Sequence, residues 1–186
     1  MANTLRVRQN ENEPLDEITQ LNPLPVAIPD GAFVSTRTDE VERVLRVTGI
    51  GYAAAYAAND TFGSLFEIPG VARLAGSTFV ILKSVFYDYD NEGINKTLHL
   101  FSRPVTLAAD NAAWALADTD TRFWIGKISF SSWDSHTNGQ TSLASPALYL
   151  KCGAGTTSIW GAFQTSGADN IATTANPEVC LLVARD

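Results

Sequence analysis

Beyond Gly31 the chain is written in short runs of β-branched and aromatic residues that repeat with period two, each closed by Gly, Asn, Asp or Pro. Side chains alternate across a strand, so this pattern sets one face of each run on a core and turns the other outward. Residues 32–36, 41–48, 78–88, 96–102, 122–130, 147–152, 157–165 and 178–184 read as strands on this basis, with a short extended piece over 104–107. In 41–48, Val41, Leu45 and Val47 share one face and Glu42 and Arg46 the other. Residues 78–88 are apolar enough to be central in a sheet. They lead into the polar stretch 88–93 and out again through 96–102, which reads as a β-hairpin with a long polar tip. The final run, 178–184, is expected deep in the sheet. The alanines of residues 49–60 would suit a short helix, but the flanking glycines and the Asn59-Asp60 turn argue for a strand or a closely packed loop, and residues 131–145 read as a polar loop. Asp110 or Asn111 could cap one or two helical turns over 110–120. Some eight strands at this spacing give an all-β fold, an antiparallel β sandwich of jelly-roll type. The scarcity of two-residue hairpins speaks against an up-and-down barrel.

The first 30 residues behave differently. Pro14, Pro23, Pro25 and Pro29 each fix φ, lack an N–H donor and hold the preceding residue extended. Between and around them stand single aliphatics: Leu15, Ile18, Leu21, Leu24, Val26 and Ile28. The expectation is an extended N-terminal arm over residues 1–30 with no hydrogen-bond ladder of its own, attached to one sandwich domain over 31–186. Its aliphatics gain by burial against another surface, which marks them as a candidate partner interface. Trp133, beside Asp134 in the polar loop, is the tryptophan expected to be partly exposed and joins that list. An arm that needs a surface points to assembly rather than catalysis.

Size and charge narrow the field. A body of about 150 residues buries roughly two thirds of its unfolded surface and needs neither metal nor disulfides for stability. The net charge is −7 and the pI about 4.7, and the nearest approach to a basic cluster, Arg37, Arg43 and Arg46, is interleaved with Asp39, Glu40 and Glu42. Direct nucleic-acid binding is therefore not expected. No run of 18 apolar residues is present, so no membrane span is expected, and the N-terminus lacks the apolar region of a secretory signal. Cys152 and Cys180 both fall in strands, where buried free thiols are the simpler reading and a bridge between neighbouring strands the other.

Several motifs imitate chemistry without completing it. Gly49, Gly51 and Ala54 satisfy the spacing of a dinucleotide-binding turn, with Glu67 at a tolerable distance, but no βαβ unit follows. Asp88, Asp90, Glu92 and Gly93 resemble the first half of a calcium loop, yet His99 stands where its last carboxylate belongs. A solvated turn explains those acids. His99 alternates away from Leu98 and Leu100, while His136 lies in a loop with Ser131, Ser132, Asp134 and Ser135 but without a nucleophile elbow. The chain is accordingly read as no enzyme, with no catalytic residue, no cofactor and no metal ligand. The four tryptophans, nine phenylalanines and five tyrosines serve mainly as core.

A set of segments carries a family likeness: Tyr56 to Asp60 with Phe62 and Gly63, Gly76 and Ser77, Leu98 to Phe101, Asp110 to Ala113, Asp118 with Asp120, and Val179 to Asp186. Over residues 48–186 the chain resembles the small β-rich virion structural proteins of tailed bacteriophages, of the capsid decoration or cement type. That resemblance implies a structural protein on the capsid surface of the virion, made in the host cytoplasm. Its implied partners are the major capsid protein and copies of itself, assembled as a homotrimer. It carries over no catalytic residue. A tail, adaptor or head-fibre component is the neighbouring alternative, and a carbohydrate- or receptor-binding β module the alternative of a different kind.

Overall fold

The alternation resolves into strands in the computed structural model, which describes residues 42–48, 55–171 and 177–185 and the backbone pairing of four short N-terminal strands. Along the chain these N-terminal strands are β1 (Leu5–Val7), β2 (Asp16–Ile18), β3 (Val26–Ala27) and β4 (Phe33–Val34). There follow β5 (Glu42–Val47), β6 (Ala55–Tyr56), β7 (Thr61–Ile68), β8 (Thr78–Asp88) and β9 (Lys96–Phe101). After a 3-10 helix (Asp118–Phe123) come β10 (Trp124–Phe130), β11 (Trp133–His136), β12 (Gly139–Ala144) and β13 (Leu148–Lys151). The last are β14 (Ile159–Thr165), β15 (Asp169–Asn170) and β16 (Glu178–Arg185).

Met1–Asp39 and Glu40–Asp186 form two separate units. Within the first, β1 pairs with β2 and β3 with β4, both antiparallel. The expectation that residues 1–30 hold no ladder of their own is thus corrected.

The second unit is an antiparallel β sandwich. One sheet runs β11-β12-β8-β16-β5, with β13 continuing beside β8 where β12 leaves off; the other runs β10-β9-β14-β7. Leu45, Phe79, Ile81, Phe86, Val179, Leu181 and Val183 of the first sheet face Phe62, Ile68, Leu98, Leu100, Ile128, Phe130 and Phe163 of the second. The centre is aromatic. Phe86 lies 5.2 Å from Phe163, 5.6 Å from Phe130 and 6.5 Å from Phe62, at tilted or edge-on angles that suit ring quadrupoles. As expected, β8 is central and β16 interior, lying between β8 and β5.

Three local expectations are corrected, and one strand went unread. β8 and β9 are no hairpin, because residues 89–95 carry the chain across to the other sheet, where β9 pairs with β10 and β14. Residues 110–120 form no α-helical turn. Leu107 instead bridges Leu116, and the Asp110 carboxylate accepts hydrogen bonds from the Gly63 N–H (2.7 Å) and the Tyr56 hydroxyl (2.9 Å). Residues 131–145 contain the hairpin of β11 and β12, turned by Thr137 and Asn138. β7 was hidden by Gly63, whose φ of +76° breaks the alternation inside the strand.

Candidate functional site

Alternation that buries Leu45, Leu181, Val183, Phe79 and Ile81 necessarily turns their neighbours outward, and on the six-stranded sheet these neighbours are largely apolar. Register places Leu143, Val85 and Cys180 in one cross-strand row, ending in Arg46. Tyr149, Val80 and Ala184 form another, and Leu182 sits between Lys83 and Val44. Tyr149 is 71% exposed, Val44 64% and Leu143 55%. Lys83 stands within this face, and an ion pair of Arg46 with Glu178 (2.8 Å) borders it. Large apolar side chains gathered on one side of a sheet mark a contact surface.

At the end of β8 this face runs into a cleft of about 670 Å³ lined by Tyr87, Tyr89, His136, Asn138, Gln140 and Thr141, among others. The Tyr87 and Tyr89 rings lie 6.4 Å apart and 16° from parallel. The Arg46 guanidinium sits 5.4 Å from the Tyr87 ring centre. Burial, followed by the Glu178 carboxylate that accepts its hydrogen bond, pushes the Tyr89 phenol up from its ordinary pKa. His136 Nε2 meets Thr141 Oγ1 at 3.0 Å. Asp134 shares the His136 side of β11, and Ser135 alternates to the opposite side.

A third feature lies inside the sandwich. Lys96 and Asp169 form an ion pair with side chains 3% and 2% exposed. Lys96 Nζ also donates to the Ile94 carbonyl (2.9 Å) and lies 5.0 Å from the Phe62 ring centre. Desolvation lowers the Lys96 pKa against the opposing pull of Asp169, Asp88 and Glu92. Glu92, exposed at the edge of this cluster, accepts a hydrogen bond from the Asn170 N–H (2.9 Å); partial desolvation raises its pKa against that bond, and the neighbouring Asp169 adds to the rise. Asp88 accepts from the Asp90 and Gly93 amides at 3.0 and 2.8 Å. This acid is only 5% exposed, so the solvated-turn reading of residues 88–93 is corrected at its first residue. Among the described residues no group of three or more His, Cys, Asp or Glu is arranged to hold a metal ion.

The remaining sequence candidates are dispersed. Leu15, Leu21, Leu24 and Ile28 lie outside the described residues; Ile18 and Val26 belong to β2 and β3, of which only the backbone is described. Gly49, Gly51 and Ala54 also lie outside, while Glu67 is exposed on β7. Trp133 is half-buried, edge-on to Phe86 at 6.0 Å, and its indole N–H donates to Asn95 Oδ1 (3.2 Å). His99 stacks on Trp114 at 4.4 Å on the outward side of its sheet. Both thiols are free; Cys152 is buried, which pushes its pKa up to about 11, and Cys180 lies on the outward apolar face. Among the described residues no helix is long and apolar enough to cross a membrane. Sequence reasoning missed Lys96, although its spacing from Leu98 and Leu100 puts it on the core side of β9. It also missed the Tyr87 and Tyr89 pair, whose i, i+2 spacing was the available signal.

No protein-family model matches the chain, and no curated protein matches it.

Proposed function

We propose that this chain is a structural virion protein of the capsid decoration or cement type, acting through surface contacts and not as an enzyme. It sits on the outer capsid shell, bound to the major capsid protein and to copies of itself as a homotrimer. The observation that carries this reading is the outward apolar face of the six-stranded sheet, with Val44, Leu143 and Tyr149 largely exposed. The likeness in residues 48–186 supplies the particle, and the separate unit Met1–Asp39 supplies a second element able to engage a neighbour. Many copies on a symmetric lattice let weak individual contacts add up.

The test is co-sedimentation with emptied shells of the parent particle, alongside light scattering of the free protein. The expected results are a trimer of the 20.0 kDa chain and saturable shell binding. Val44→Lys, Leu143→Lys and Tyr149→Lys in one chain should abolish both, and deletion of residues 1–30 should leave a folded body with weakened shell binding. Unaltered trimer and occupancy in the triple variant reject the face; undiminished occupancy after the deletion rejects the arm.

The cleft at Tyr87 and Tyr89 favours a second reading, a carbohydrate- or receptor-binding module. Aromatic rings beside the amides of Asn138 and Gln140 can take the apolar face and hydroxyls of a sugar. NMR titration with an oligosaccharide panel tests it: shifts confined to this cleft and lost in Tyr89→Ala support it, and a silent panel removes it.

A further inference from the structure

From the buried cluster at Lys96 we infer that this domain forms an internal isopeptide bond, joining Lys96 Nζ to Asp169 Cγ, with Glu92 as the proton carrier.

The argument starts from what burial does to an ion pair. Withdrawing an ammonium and a carboxylate from water costs more than their attraction commonly returns, so low dielectric favours the neutral forms. Around Lys96 stand three acids, Asp88, Glu92 and Asp169, against the one cation. Glu92 is the acid at the exposed edge of this cluster, held beside Asp169 by the Asn170 N–H, and partial desolvation with the neighbouring Asp169 raises its pKa and so favours a proton on it. Asp88 is committed to two loop amides and takes no part. A proton passing from Lys96 to Asp169 leaves a free amine against a neutral carboxylic acid, the pair that condenses to an amide.

The geometry holds the reactants together. Lys96 opens β9 opposite Thr165 of β14, and Asp169 follows on β15, which is paired to β6. The Ile94 carbonyl steadies Nζ, and the Phe62 ring walls it off from solvent. Fixed contact of this kind replaces a bimolecular encounter by a unimolecular one. Glu92 is pinned in turn by the Asn170 N–H, next to the reacting carboxyl.

The step balances without any further reagent. The Lys96 amine attacks Asp169 Cγ, made electrophilic by the hydrogen bond from protonated Glu92. The Nζ–Cγ bond forms, Glu92 delivers its proton to the departing hydroxyl, and the Cγ–O bond breaks. Glu92 then recovers a proton from the nitrogen. One amide and one water result, and nothing is oxidised or reduced.

Intact-mass spectrometry of the full-length protein tests this, followed by fragmentation of its tryptic peptides. The expected result is a mass lower by one water than the sequence requires, with no cleavage at Lys96 and a branched peptide containing both Lys96 and Asp169. Glu92→Gln should restore the full sequence mass while the protein remains folded by circular dichroism. A wild-type protein at full mass, with a linear peptide ending at Lys96, overturns the inference. A water loss that persists in Lys96→Arg or maps to another pair overturns it equally. Because the readout is on wild-type protein, the result stands even where a variant fails to fold.

Discussion

Asp110 shows how one side chain decides a local structure. Its Oδ1 serves the Gly63 amide and the Tyr56 hydroxyl together, and Tyr56 packs on Phe62 at 4.9 Å. A hydrogen bond to a charged acceptor contributes about 1.5–3 kcal/mol, so Asp110→Ala should cost about 2 kcal/mol or more. Urea unfolding will show it as a lower midpoint at unchanged slope. His99 offers a pH test. Burial, aided by Lys127, lowers its pKa below the ordinary value, while the hydrogen bond its Nε2 donates to Gln164 Oε1 opposes the shift. The unfolded chain therefore takes up that proton first. The His99 contribution is constant above about pH 6.5 and is lost as pH falls from there towards the depressed folded pKa. His99→Gln should flatten this part of the stability profile; an identical slope in the variant would exclude His99 as its source.

Elements record how far alternation can be trusted. β5, β8, β10, β13, β14 and β16 fall within two residues of the runs read from sequence, because each alternates or is apolar throughout. β7 and the hairpin of β11 and β12 do not. Gly63 interrupts the first with a left-handed residue, and the second is an edge hairpin whose residues are mostly polar or exposed. The Asn138-Gly139 dipeptide was the signal available for it. Packing between elements leaves no slack at Gly161 in β14, where a Cβ would lie 2.7 Å from the Phe66 ring and 3.0 Å from Leu98. Gly161→Ala should destabilise by about 1–3 kcal/mol through overpacking, measured by thermal unfolding. Trimming the obstructing ring in Gly161→Ala with Phe66→Leu should recover part of the loss.

Across the molecule, the outward face and the core carry opposite expectations. Lysines at Val44, Leu143 and Tyr149 remove exposed apolar surface and should leave monomer stability within about 0.5 kcal/mol, while disrupting assembly. Unfolding midpoints extrapolated to low protein concentration separate the two effects; a large loss there would mean the face belongs to the fold itself. Of the sequence candidates, Trp133 is half-buried, as its polar neighbourhood led one to expect, while the leader's aliphatics lie outside the described residues or, at Ile18 and Val26, in strands of which only the backbone is described. The outward sheet face was not legible in the sequence, because its members Val44, Leu143, Tyr149 and Leu182 come from four strands far apart in sequence.

Local chemistry by itself determined that this chain is all-β, which runs form strands, and which residues of each run turn inward. Period two is a property of consecutive residues, and any neighbour can satisfy it. Only the tertiary structure decided which strands pair, that residues 89–95 cross between sheets instead of turning a hairpin, and that Lys96 meets Asp169 away from water. Those outcomes depend on burial summed over distant segments. A lysine at a core-facing position becomes an ion pair, or a covalent link, only when a remote acid is brought against it.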